Sequence, residues 1–279
     1  MISICLKSKK TSTLNIIENY LDEITIPDVY YSQKKFKFYN NIIIHYKGTN
    51  QKKFFLVLSD ALSKYIIQNQ ENQIIQNQLK FDYFYFTDQE KRQIQQSVKK
   101  QLDTESNTQK KYVALQNSVV EYFTENKYCI VEGFIDFRLY NYKILINSIL
   151  ENVINDYILQ KEYSEYVHLL QEYIELQLPQ TPSIHLIYSK DKKILLDESK
   201  NLIANTSNPK VYLSDISFSS NDFILNTLLS LLPEKLYIHV DAEEDNFIIF
   251  LKLIFKNKFY ICNHCQICSP YLTGIKNGF

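Results

Sequence analysis

A chain of 279 residues can bury a sizeable core and has room for about two domains. With 45% hydrophobic and 22% charged residues, its composition is that of a globular protein and excludes disorder along the whole chain. The 31 basic and 31 acidic side chains cancel, so the basic excess that draws most nucleic-acid binders to phosphates is absent.

Ile2, Ile4 and Leu6 alternate with Ser3 and Cys5, the pattern of a half-buried strand. Thr11 to Thr13 can cap a helix whose Leu14, Ile17 and Leu21 share one face. After Pro27, Phe36 and Phe38 alternate with Lys35 and Lys37 as in a strand, and Asn40-Asn41 predicts a turn into a returning strand from Ile42. Two short lysine runs, Lys7, Lys9, Lys10 and Lys34, Lys35, Lys37, read as solvated surface. Phe54, Leu58, Leu62 and Tyr65 mark a second helix, which completes a β-α-β-β-α unit that Phe81 to Phe86 can extend. The Gln/Asn-rich stretch from Gln68 reads as an exposed helix tail.

Thr87 and Glu90 have capping-box spacing, and Ile94, Val98 and Leu102 give the buried face of the helix that follows. The DTESNT loop from Asp103 ends it, and Tyr112, Leu115, Val119 and Phe123 mark the next. Helical spacing resumes at Ile146, Ile149, Leu150, Val153 and Tyr157, and again at Tyr166, Leu169, Leu170 and Tyr173. Pro179 and Pro182 break it. Beyond them IHLIY from Ile184 and KKILLD from Lys192 predict a hairpin, Phe223 to Leu232 a helix, and KLYIHV from Lys235 a buried strand. Phe247 to Phe255 then predicts a helix and FYIC from Phe259 a last strand.

The expected class is α+β with mixed α/β layers: an N-terminal α/β region over 1–86, a helical region over 87–178, and a small C-terminal α/β region over 179–279 with a mixed or parallel sheet. Residues 87–279 are expected to form one compact body. MISICLKSKK shows no charged leader followed by a sustained apolar stretch, and apolar runs such as FIIFL fall far short of the roughly 20 residues that span a bilayer. These features predict a cytoplasmic protein without membrane insertion, its five cysteines kept as thiols.

Only four glycines occur, and no G-x-G-x-x-G, Walker loop or G-x-S-x-G elbow is present, which argues against the common nucleotide-binding and hydrolase sites. The sharpest chemical feature is Cys262-x-x-Cys265-x-x-Cys268. That spacing lets thiolates turn toward one centre and suits zinc or an iron–sulfur cluster. His264 is adjacent to Cys265 and would point away, so a fourth ligand must come from Cys5, Cys129 or His239. His239 and Asp241, two apart at a strand end, could instead serve a metal or acid–base site, or be a core-edge histidine beside an acidic helix entry. Arg138, one of two arginines, reads as a clamp on Glu132, Asp136 or a helix end, with anion binding as the functional alternative. No catalytic set can be assembled from spacing.

The stretch from EGFIDFRLYNYKILINSILENVINDYILQ to LLQEYIELQLPQ, the upstream FDYFYFTDQEK, and DISFSSNDFILNTLLSLLPEKLYIHV with the terminal CNHCQIC together resemble the YtxC-like family from about residue 80 to the cysteine cluster. The resemblance implies a sporulation-associated protein of an endospore-forming bacterium and supplies no catalytic residue or ligand. The expected function is therefore a non-enzymatic interaction or regulatory role with an unidentified protein partner and no nucleic acid. Two alternatives stay open: a zinc or iron–sulfur module built on the C-terminal cysteines, and an enzyme with a site near His239, Asp241 and Arg138.

Overall fold

The computed structural model describes residues 1–23, 27–189, 193–205, 219–240, 245–262 and 265–267. Its contacts divide the chain into two compact units, Met1–Leu159 and Gln160–Phe279. Both units pair helices with a mixed sheet, so the class is α+β. Where composition suggested breaks at residue 87 and at Pro179–Pro182, packing groups the middle helices with the N-terminal sheet.

In the first unit, β1 (Ile2–Ser8), α1 (Thr11–Glu23), β2 (Val29–Lys35), β3 (Asn40–Tyr46) and α2 (Gln51–Tyr65) follow in the expected order. Much later β4 (Tyr128–Ile130) joins the sheet, whose order is β2-β3-β1-β4, with β4 parallel to β1 and the other pairs antiparallel. Alternation settles which face is buried: Ile4 and Leu6 pair with Ile44 and Ile42, and all four lie in a core with Leu14, Ile17, Phe54 and Leu58. The turn between β2 and β3 is not at Asn40-Asn41. It falls at Lys37 and Phe38, closed by the Phe36 N–H donating to the Tyr39 carbonyl at 2.9 Å. Register explains the difference. A turn at Asn40-Asn41 would set Lys37 and Lys35 opposite Ile44 and Tyr46 on the core side; the observed one sets Tyr31 and Val29 there.

A π-helical turn, Ile66–Gln70, joins α2 to α3 (Glu71–Asp82). Ile74, Ile75 and Leu79 of α3 are buried, so this stretch is more than an exposed tail. Phe81 to Phe86 adds no strand: α3 ends at Asp82, Phe84 and Tyr85 are exposed, and Phe86 turns into the core. The capping box forms as expected at the start of α4 (Asp88–Leu102), with Thr87 and Glu90 satisfying each other's backbone N–H. In α5 (Glu105–Glu125) the buried stripe runs Lys111, Leu115, Val119, Phe123, so a lysine and not Tyr112 takes the first place. The short α6 (Val131–Phe137) and the first part of α7 (Tyr140–Leu176), one long helix where the sequence suggested two segments, complete this unit.

In the second unit, β5 (Thr181–Tyr188), β6 (Lys193–Leu196), β7 (Leu202–Asn205), β8 (Pro233–Val240) and β9 (Phe259–Ile261) form a sheet of order β7-β6-β5-β8-β9. β5, β8 and β9 run parallel, and the predicted β5–β6 hairpin adds the antiparallel edge with β7. The chain reaches β8 through α8 (Ser220–Leu231) and β9 through α9 (Asn246–Phe255). Ile184, Leu186, Leu236 and Ile238 share a core with Leu228, Ile248, Leu251 and Phe255. Among the described residues no helix is long and apolar enough to cross a membrane.

Candidate metal centre

Because strand side chains alternate, one face of β8 gives Leu236, Ile238 and Val240 to the core, and the opposite face carries Tyr237 and His239. In the parallel register His185 of β5 lies beside Tyr237, and Ile187 beside His239. The opposite face has its own small apolar cluster of Ile187, Ile194 and Leu196, against which Ile267 packs. The segment after β9 therefore turns back over this face. Its start is fixed by the Cys262 N–H donating to the Ile238 carbonyl at 2.8 Å.

That return brings Cys262 and Cys265 to His239. The ligand atoms of the three side chains all lie within 4.8 Å of one another. His239 Nδ1 is 3.6 Å from the Cys265 Sγ, close to the edge of a tetrahedral zinc site, roughly 3.5 Å for its usual bond lengths. The other ring nitrogen, Nε2, is 3.0 Å from His185 Nδ1. Coordination through Nδ1 requires the His239 proton on Nε2, where His185 can accept it. His185 is itself held by stacking on Tyr237 at 4.9 Å. A neighbour fixing the non-ligating nitrogen is the usual support of a metal-bound histidine. Burial, with His185 second, lowers the His239 pKa to about 4, so the imidazole is neutral near pH 7, the form that binds metals.

Of the ligands left open by sequence, the structure brings His239 to the cysteine pair. Cys5 and Cys129 are in adjacent strands of the first unit, Cys5 opposite Tyr128 and Leu6 opposite Cys129. Cys268, His264 and Asp241 lie outside the described residues. Asp245 caps α9, accepting from the Phe247 N–H at 2.8 Å, as the helix-entry reading of the acidic run expected. His185 was not singled out from sequence, since its place beside β8 depends on a parallel register that no local pattern displays.

Arg138 belongs to the first unit and His239 to the second. The expected clamp on Glu132 is not formed: Glu132 Oε1 accepts from Ser8 Oγ and the Lys9 N–H, and the exposed Arg138 guanidinium lies 6.0 Å over the Tyr122 ring. Lysine can make much of that cation–π contact. Arg138→Lys should therefore change stability by less than about 1 kcal/mol in denaturant melts, and a larger loss would show that a bidentate partner exists.

Burial, and secondarily Glu132, raise the Cys129 pKa to about 12. Near neutral pH, iodoacetamide should modify Cys129 only in unfolded chain; labelling of native protein at the rate of a small thiol would contradict this. The folded pKa is above the unfolded value of 9.0, so this thiol's contribution to stability is complete below pH 9. It is lost as pH rises through about 12, because the unfolded chain gives up its proton first.

Fold and site together define an α+β protein whose second sheet offers a His/Cys/Cys group suited to a metal ion. Residues 56–260 match the family described as YtxC-like, and the chain belongs to that family. The match begins upstream of residue 80 and ends before Cys262, so it takes in His185 and His239 but not the cysteine cluster. The chain is also similar to a Bacillus subtilis (strain 168) protein described as uncharacterized protein YtxC, 22% identical over 125 residues. That alignment covers 42% of this chain and 44% of the relative, less than half of either. No solved structure matches the chain.

Proposed function

We propose that the second unit is a zinc-binding module in which His239, Cys262 and Cys265 hold the ion and Cys268 supplies the fourth ligand. The observation that carries this reading is the meeting of a His239 ring nitrogen with two thiol sulfurs, all within 4.8 Å of one another. One imidazole with cysteine thiolates is a common structural zinc set, whereas iron–sulfur clusters ordinarily take four cysteines, so the donor chemistry favours zinc. The C-x-x-C-x-x-C spacing offers a third sulfur in the same segment. Four protein ligands leave no open position for water or substrate, which makes the site a clip that ties the segment after β9 to β8. A non-enzymatic role follows, with the metal-fastened face presented to a protein partner. The cellular setting we assign, from the resemblance read in the sequence, is sporulation in an endospore-forming bacterium.

The test is metal content after anaerobic and aerobic purification. Zinc near one per chain is expected, and His239→Ala, Cys262→Ser, Cys265→Ser and Cys268→Ser should each release it, as a chelator should. Iron with visible charge-transfer absorption would replace zinc by a cluster. Protein that holds neither metal, and loses no stability in any of the four variants, overturns the reading.

A further inference from the structure

The two lysine runs that look unrelated in sequence meet at one end of the first unit's sheet. Asn41 pairs with Lys7 on one side and Lys34 on the other, and the Asn40 side chain donates to the Lys9 carbonyl at 3.4 Å. Lys9, Lys10, Lys34, Lys35 and Lys37 are all exposed there. The β2–β3 tip carries Phe36 and Phe38, 58% and 75% exposed. An open pocket of about 470 Å³ lies between tip and sheet, lined by Lys7, Phe36, Lys37, Phe38, Tyr39 and Asn41. The nearby carboxylate, Glu132, has one oxygen taken up by Ser8 and the Lys9 N–H.

We propose that this hairpin tip docks the protein on the surface of an anionic lipid bilayer. Two phenylalanines at the foremost point of a hairpin expose apolar area that water disfavours and that the headgroup–acyl boundary accepts. The lysines behind them sit where lipid phosphates would lie, and each adds attraction within a Debye length of the surface. Binding is peripheral and uses no spanning helix. A single strand of nucleic acid fits less well. The aromatic rings on the open sheet face, Tyr30 and Tyr128, already lie under the ammonium groups of Lys47 and Lys7, at 4.6 and 5.4 Å, and are not clear for base stacking. None of these residues belongs to the metal centre, so the two proposals stand or fall separately.

The experiment is co-sedimentation of the full chain with vesicles of phosphatidylcholine, alone or mixed with phosphatidylglycerol, at low and high salt. Binding to the mixed vesicles alone is expected, weakening as salt rises. The triple variant Lys34→Gln/Lys35→Gln/Lys37→Gln should lower the partition coefficient on the order of a hundredfold. Phe36→Ser/Phe38→Ser should also release the protein, while Lys99→Gln/Lys100→Gln, an exposed pair on α4, should leave binding unchanged. Circular dichroism melts check that the variants fold, and the glutamine variant decides the matter if the serine variant does not. Absence of binding to anionic vesicles, or binding that neither tip variant weakens, overturns the proposal. So does tip-dependent binding of labelled oligo-dT by a protein that ignores the vesicles, which would assign the surface to nucleic acid.

Discussion

Lys111→Met is expected to destabilise the first unit by about 3–5 kcal/mol, the cost of leaving a buried carboxylate without its counter-charge. Lys111 is 1% exposed and Glu71 3%. Their Nζ and Oε2 are 3.1 Å apart, and the same carboxylate accepts from the Tyr142 hydroxyl at 2.5 Å. Burial, then Glu71, holds the Tyr142 phenol far above its usual pKa, so it remains a donor at any working pH. With the lysine gone, Glu71 keeps one donor in a site closed to water. Lys111→Met/Glu71→Leu should recover most of the loss, because the pair is then replaced by packing. Asp103, the second carboxylate on Lys111 at 3.2 Å, is 54% exposed, so Asp103→Asn should cost under about 1 kcal/mol. Urea midpoints for the four proteins decide it: if Lys111→Met is no worse than Asp103→Asn, the pair is not the buried unit described.

His185→Phe is expected to weaken zinc binding about 10–100-fold without changing the amount bound at saturation. Phenylalanine keeps a ring to stack on Tyr237 but offers no acceptor to His239 Nε2, so the ligating tautomer is no longer held. His239→Ala should abolish binding, which separates a ligand from its support. A competing chromophoric chelator measures both. The same zinc should raise the stability of the second unit by about 4 kcal/mol at a thousandfold excess over its dissociation constant. If affinity is equal in wild type and His185→Phe, the 3.0 Å contact does not orient the ligand.

What the sequence made legible was whatever depends on neighbours within a turn or a strand. Ile4 and Leu6, the Leu14-Ile17-Leu21 stripe and the Thr87 capping box each carry their own instruction, and each forms as read. In the C-terminal region β5, β6, β8 and β9 were read in the same way, while β7 was not. The tip at Lys37-Phe38 was not legible, because the asparagine pair signals a turn in isolation, while the choice was made by which residues must face Ile44 and Tyr46. Lys111 was hidden for a similar reason. A lysine in a helix reads as surface, and the partner that lets it be buried, Glu71, is 40 positions away. The cysteine spacing suggested a metal site, but the histidine that meets the cysteines could be chosen only once β9 was laid parallel to β8. A strand-helix-strand reading of KLYIHV, Phe247–Phe255 and FYIC contained that pairing in outline, and with it the meeting of His239 and Cys262.

The π-helical turn at Ile66–Gln70 decides more than a local irregularity. It contains one residue beyond the α-helical count, so the helix leaves it turned by about 100° relative to an unbroken continuation. That phase slip puts Glu71, Ile74 and Ile75 inward after Phe54, Leu58 and Leu62 have already used the inward face of α2. Deleting one residue of IIQNQ would restore the α-helical count and leave the Glu71 carboxylate facing Lys111 and Tyr142, whereas straightening the helix at its present length would swing it away by about 100°. In a library of single-codon deletions across α2 and α3, this segment should be among the most forgiving, whereas a deletion elsewhere puts buried residues such as Leu58 or Ile75 out of phase with the core. The fold depends on the phase this segment keeps between two buried faces, more than on its composition.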